Sequence, residues 1–144
     1  MNSLVCAEVR DLPARTAICV EHVRLAYYYR DRLDLEGYAS LLHEQVVDSA
    51  PGEEPRRGRP ALLRRIAEWD RPATCHLIDR ILVDGNTIVV VGRVRGELGP
   101  HYMSFVDIIE LSGDCLLTRL SRYRADVPAT PGRPFDIPNF PTTN

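Results

Sequence analysis

The sequence predicts an α+β domain. Helical periodicity is confined to the first half of the chain, strand-like runs fill the second half, and Asp/Asn/Gly turns separate those runs. Helices followed by a meander of hairpins place three N-terminal helices on one face of an antiparallel sheet. A chain of 144 residues is one domain's worth and buries a real core. We assign residues 1–126 to that domain and 127–144 to a proline-rich tail.

The elements follow in order. Asp11-Leu12-Pro13 reads as a helix start, an N-cap acid followed by an early proline. From Ala14 to Arg32, Ile18, Val23, Leu25, Ala26 and Tyr29 form one broad apolar helix face. Asp34-Leu35-Glu36-Gly37 starts a short second helix through Leu42, and Val46-Val47 is a short strand. Pro51 to Gly58 is a polar loop. Gly58-Arg59-Pro60 opens a third helix carrying Leu62, Leu63, Ile66 and Trp69, and Asp70-Arg71-Pro72 stops it. Strands are expected over Thr74–Val83, Thr87–Leu98, Tyr102–Leu111 and Cys115–Arg124. Their turns are Asp84-Gly85-Asn86, Gly99-Pro100 and Ser112-Gly113-Asp114. The prolines of the tail exclude a helix there.

Composition excludes several functions. A net charge of -2 gives no electrostatic footprint for nucleic acid. No apolar stretch reaches membrane-spanning length, and the amino terminus lacks a signal-peptide pattern. Cys6, Cys19, Cys75 and Cys115 are scattered, without a Cys-x-x-Cys pair, which favours reduced, buried thiols in a cytoplasmic protein. All 18 basic residues are arginine, so Schiff-base catalysis by lysine is excluded. His22, His43 and His101 offer no metal-ligand spacing. No phosphate-binding glycine loop or nucleophile elbow is present, so neither metal nor cofactor is expected.

Asp107 is the leading catalytic candidate. Period-two alternation puts it on one strand face with Phe105, Ile109 and Leu111. A carboxyl in such surroundings is expected to have a raised pKa, which suits acid-base work near neutral pH. A structural ion pair is the competing account. His76 shares a strand face with Ile78, Arg80 and Leu82, although a lone strand histidine is more often a structural group. Arg93 and Arg95 are candidates to bind an anionic oxygen, against the default of solvated sheet-face arginines. In the Tyr27-Tyr28-Tyr29 run only one or two rings can face a pocket, and Tyr28 and Tyr29 are taken as ligand-binding candidates. Tyr102 and Tyr123 are further pocket-wall candidates.

Four segments together resemble the nuclear-transport-factor-like superfamily. Leu33 to Leu42 is similar to its second helix, and Gly58-Arg59-Pro60-Ala61-Leu62-Leu63-Arg64-Arg65-Ile66 to its third-helix start. Phe105 to Leu111 and Leu117 to Leu120 resemble the last two strands of its polyketide cyclase, SnoaL-like branch, which includes ketosteroid isomerase relatives. The resemblance implies a cone-shaped fold, a curved sheet wrapped over the helices with a pocket at the open end. It implies that Asp107 is either a general base or a protonated donor to a developing oxyanion. The isomerase base maps to Asp48, Ser49 or Ala50, of which only Asp48 titrates. The implied function is a cofactor-independent isomerase or cyclase acting on a hydrophobic, carbonyl-bearing small molecule, with a non-catalytic binding subunit as the alternative and a dehydratase or epoxide hydrolase behind it. Ile78 and Leu82 on one strand face, with Leu77, Ile81 and Val83 on the other, predict a homodimer through the outer face of the sheet. Phe135, Ile137 and Phe140 are expected to dock the tail on the domain.

Overall fold

A computed structural model describes residues 3–69, 74–95 and 102–125. Helix α1 (Ser3–Asp31) is followed by α2 (Leu35–Ser40), strand β1 (Leu42–Ser49), the two-residue strand β2 (Arg56–Arg57) and helix α3 (Arg59–Trp69). Strands β3 (Cys75–Asp84), β4 (Thr87–Arg95), β5 (Tyr102–Leu111) and β6 (Leu117–Ala125) complete the fold. The predicted stop at Asp70-Arg71-Pro72, the Gly99-Pro100 turn and the tail lie outside the described residues.

The six strands form one curved, unclosed sheet in the order β2-β1-β6-β5-β4-β3. The hairpin meander is antiparallel as predicted, but β1 joins β6 in parallel. That pairing moves the early strand beside the last one. It is longer than Val46-Val47, because Leu42 and Val46 are fully buried against the helices. Asp34 caps α2, accepting a hydrogen bond from the Gly37 amide at 2.9 Å.

The core lies between the helices and the concave sheet face. On α1 it takes Cys19, Val23, Ala26 and Tyr27, an i, i+4, i+7, i+8 stripe. Ile18, expected on that face, is exposed instead, and α1 begins at Ser3 rather than after Asp11, so Pro13 lies inside the helix. Phe105, Ile109 and Leu111 of β5 and Ile88 and Val90 of β4 complete the floor. Gly92 allows it: a Cβ there would sit 2.4 Å from the Leu77 carbonyl and 2.9 Å from the Phe105 ring. A bulge between Ile78 and Arg80 shifts the phase of β3. Ile78 and Ile81 therefore both pack on the core, while Leu82 turns outward, against the predicted alternation.

One correction bears on chemistry. Cys19 and Cys115 form a disulfide with their Cα atoms 5.1 Å apart. The reduced-thiol expectation failed because the partners are 96 residues apart and meet only through the fold. The argument for a cytoplasmic setting that rested on it falls too. Among the described residues, no helix is long and apolar enough to cross a membrane.

The middle of α1 clasps the β5–β6 turn. Arg15 donates to the Ser112 carbonyl at 2.8 Å, the Gly113 carbonyl at 3.2 Å and Asn86 Oδ1 at 2.8 Å. His22 Nδ1 donates to the Cys115 carbonyl at 2.8 Å. Arg15, Cys19 and His22 sit at i, i+4 and i+7, one helix face. We predict that replacing Cys19 and Cys115 together by serine lowers stability by about 2–4 kcal/mol. Chemical denaturation with and without reductant measures it: the wild type should lose a similar amount on reduction, and the variant nothing.

Candidate active site

A cavity of about 50 Å³ opens between α1, α2, α3 and the inner faces of β1, β5 and β6. Ala26, Leu62, Ile66, Ile109 and Leu117 give it an apolar floor. Polar groups converge on it from five elements: Tyr27 and Arg30 of α1, Tyr38 of α2, Asp48 of β1, Arg65 of α3, and Asp107, Arg122 and Arg124 of the hairpin β5–β6.

Asp107 is buried, and Arg122 stands directly opposite it across the strand pair. Arg122 Nε donates to Asp107 Oδ1 and Nη2 to Oδ2, both at 2.7 Å, a bidentate pair. The Tyr27 hydroxyl donates to Oδ2 at 2.6 Å. Burial alone would raise the Asp107 carboxyl. The Arg122 charge, its hydrogen bonds and that of Tyr27 outweigh burial, and the carboxyl is held below its ordinary value. The expected raised pKa is therefore corrected, and so is a protonated, donating Asp107. Tyr27 is pushed well above its ordinary value by burial and by the Asp107 charge, so it keeps its proton.

The network continues to His76. Arg122 Nη1 lies 3.2 Å from His76 Nε2, and a guanidinium can only donate, so Nε2 accepts. Nδ1 then carries the proton and donates to Asp31, whose other oxygen takes the His76 amide at 2.9 Å. His76 is a neutral link in a chain from Asp31 to Asp107. Burial lowers its pKa, against the opposing pull of Asp31, and Arg30 and Arg122 lower it further.

Asp48 differs. Its nearest ion-pair partner, Arg56, is 3.7 Å away, beyond a good hydrogen bond. Burial raises its carboxyl above the ordinary aspartate value, despite Arg65, Arg30, Arg56 and Arg122. Beside it, Tyr38 is 3% exposed and makes no hydrogen bond among the described residues. Burial pushes its hydroxyl up to about 12.

A SnoaL-like domain model matches residues 23–134. The chain belongs to the SnoaL-like family. The SnoaL-like fold recurs in solved structures. A nuclear-transport-factor-like protein of unknown function from Burkholderia xenovorans aligns with a TM-score of 0.71 at 16% identity, over 82% of this chain and 91% of that one. A candidate ketosteroid isomerase from Kribbella flavida aligns at 0.67 and 23% identity, over 78% and 82%. A candidate polyketide cyclase from Sinorhizobium meliloti aligns at 0.64 and 15%, over 72% and 94%. These likenesses establish the fold and leave the reaction open. No curated protein matches the sequence significantly.

Within this SnoaL-like domain, Asp107 and Asp48 line the cavity and His76 stands behind it, bonded to Arg122. The six binding candidates lie elsewhere. Tyr28 is exposed beneath the Arg32 guanidinium, 3.9 Å from its ring centre, and Tyr29 packs at the core's edge against Tyr28. Arg93 pairs with Asp79 at 3.0 Å, and Arg93 and Arg95 stack near Tyr102. Tyr123 is exposed. Alternation explains the misplacement: Arg93, Arg95 and Tyr123 have the phase opposite to Val90, Asp107 and Arg122, and so face outward. Tyr27, Arg30, Tyr38, Arg65, Arg122 and Arg124 are the polar cavity residues that sequence reading passed over. Tyr27 was signalled by its i+4 spacing from Val23, the fully buried position of α1.

The pH dependence of stability follows from His76 and Asp107. Both have folded pKa values below their unfolded ones, so both contribute fully above the unfolded pKa and lose that contribution as pH falls. His76 acts first, below its unfolded value of about 6.5, and Asp107 below about 3.9. We predict that unfolding free energy falls as pH drops from 7 to 5, and that His76→Gln flattens this limb. Urea melts across that range test it. We also predict that Asp107→Asn costs about 3 kcal/mol, because a buried guanidinium loses its counter-charge.

Proposed function

We propose that this protein is a cofactor-independent isomerase or cyclase that moves a proton at a carbon next to a carbonyl. The observation that carries this is the meeting of Asp48 and Tyr38 on one cavity: a loosely paired carboxyl with raised proton affinity, and a protonated hydroxyl that makes no hydrogen bond among the described residues. The Asp48 carboxylate takes the α-proton. The C–H pair forms the enolate double bond, and the carbonyl π pair moves to oxygen, where Tyr38 donates a hydrogen bond. Returning the proton to another carbon isomerises the substrate; attack of the enolate carbon on a second carbonyl closes a ring.

Asp107 is a positioning residue in this scheme. Its oxygens are taken by Arg122 and Tyr27, and it is too weak a base to share the work. The apolar floor suits a hydrophobic carbon skeleton, and family membership supports a place in polyketide-type secondary metabolism.

A homodimer is part of the proposal. On the convex face Leu82, Val89 and Ile108 are aligned across β3–β4–β5, and Val91, Val106 and Tyr123 across β4–β5–β6. Leu82 and Tyr123 are about half exposed, and no described element covers them. Sedimentation equilibrium at micromolar concentration should give the dimer mass; a monomer would refute it.

Catalysis is tested by hydrogen–deuterium exchange at the central carbon of pentane-2,4-dione, followed by NMR in D₂O. The wild type should accelerate exchange over the protein-free rate, with a pH profile rising through a pKa above the ordinary aspartate value. Asp48→Asn should lower the acceleration about 10²-fold or more, and Tyr38→Phe by about 10²-fold. Acceleration unchanged in folded Asp48→Asn would overturn the assignment.

A further inference from the structure

His76 stands one layer behind the cavity, and its side chain is fully buried. Its ring lies between two aromatic neighbours, with centroids 5.3 Å from Tyr27 and 5.6 Å from Phe105. Both ring nitrogens are occupied, Nδ1 by Asp31 at the end of α1 and Nε2 by Arg122 Nη1 of β6 at 3.2 Å. Asp31 also takes the His76 amide, so one carboxylate orients both the backbone and the ring. The ring cannot swing aside without losing partners on two elements.

Arg122 depends on that ring. Its Nε–Nη2 fork is filled by Asp107, which leaves Nη1 pointing into the fold. A buried N–H without an acceptor is costly, and His76 Nε2 is the acceptor. Nε2 accepts only while the ring is neutral, because an imidazolium donates from both nitrogens. The charged and titratable groups around the ring are Asp31, Arg30 and Tyr27 of α1, Arg122 of β6 and, beyond Arg122, Asp107 of β5; β4 presents Val94 opposite it. Burial, joined by Arg30 and Arg122, favours the neutral ring over the pull of Asp31.

We infer that His76 is a positioning residue of the cavity: oriented by Asp31, its neutral ring accepts from Arg122 and holds the guanidinium that in turn fixes Asp107 and Tyr27 in the cavity wall. Protonation of His76 would set two donors and two positive charges against each other across that contact. Acid therefore loosens the wall at Arg122 before it titrates Asp107. The consequence for catalysis rests on the proton-transfer reading above; the hold on Arg122 does not.

Nitrogen-15 NMR of the full chain reads the hold directly. At pH 7 the His76 ring should show a protonated Nδ1 and an unprotonated Nε2. On acidification the Arg122 Nε–H resonance should shift with the midpoint at which His76 takes up its second proton. The opposite tautomer, or an Arg122 resonance that stays put while His76 titrates, would overturn the inference. Two variants separate positioning from packing. His76→Leu fills the space without an acceptor and should lower pentane-2,4-dione exchange about ten-fold, since a hydrogen bond to a charged group is worth that much. His76→Gln offers Arg122 an amide oxygen that does not titrate. It should recover most of that loss and remove the pH dependence of the Arg122 resonance. Exchange in folded His76→Leu equal to the wild type, or His76→Gln no better than His76→Leu, would count against the positioning role. Should His76→Leu fail to fold, the wild-type tautomer and titration still decide. If the NMR results hold while exchange is absent or ignores Asp48, the hold on Arg122 stands and proton transfer falls. If exchange needs Asp48 and is indifferent to His76, proton transfer stands and the positioning role falls.

Discussion

The buried pair of Asp107 and Arg122 is the constraint on which the rest of the structure depends. Taking two charges from water costs several kcal/mol per ion, and one salt bridge does not by itself offset that cost. Here each end is also supplied with neutral hydrogen bonds. Asp107 takes a third bond from Tyr27, and Arg122 gives its remaining inward donor to His76 and stacks 4.4 Å from the Phe105 ring centre. Asp31 completes the chain from the end of α1. One helix and three strands are thereby set in one register by groups that have no better partners elsewhere.

That arrangement sets the two cavity aspartates apart in proton affinity. A carboxylate with two guanidinium donors and a phenol is a fixed anion. Asp48, with its nearest cation at 3.7 Å, keeps a proton affinity worth using. Two aspartates on one cavity are driven to opposite sides of their common starting value, Asp48 upward by burial and Asp107 downward by Arg122 and Tyr27. The Tyr38 hydroxyl, which lines the cavity and makes no hydrogen bond among the described residues, is the complementary feature, because its proton is open to an acceptor on a ligand.

Much of the fold was legible because its signals are local. Gly58-Arg59-Pro60 does open α3, Asp34 does cap a short helix, and alternation in β5 put Phe105, Asp107, Ile109 and Leu111 on the buried face. What escaped was relational. A hairpin centred on Gly113 would set Arg119 opposite Asp107. The real turn is longer and the ladder irregular at Leu111, so Arg122 arrives there instead. The bulge in β3 reversed the outer residues of that strand in the same way. The disulfide, the parallel β1–β6 pairing and the meeting of Asp48 with Tyr38 all need segments distant in sequence to be placed together, and no spacing encodes that.

The clasp at Arg15, Cys19 and His22 has a mechanical consequence. Helix α1 is fastened covalently near its middle, at Cys19, and by the Asp31–His76 bonds at its C-terminal end, twelve residues or about 18 Å along the axis. Its C-terminal half behaves as a strut pinned at both ends, and Tyr27 and Arg30 ride between the two fastenings. Such a strut neither tilts nor slides without breaking a fastening. Helix α3 meets the cavity through the apolar side chains of Leu62 and Ile66 and is held by hydrogen bonds from Arg59 to the Leu42 carbonyl and from Arg65 to Glu53. The wall that carries the fixed charge network is thus anchored through a covalent bond, and the wall that carries Arg65 by hydrogen bonds and packing.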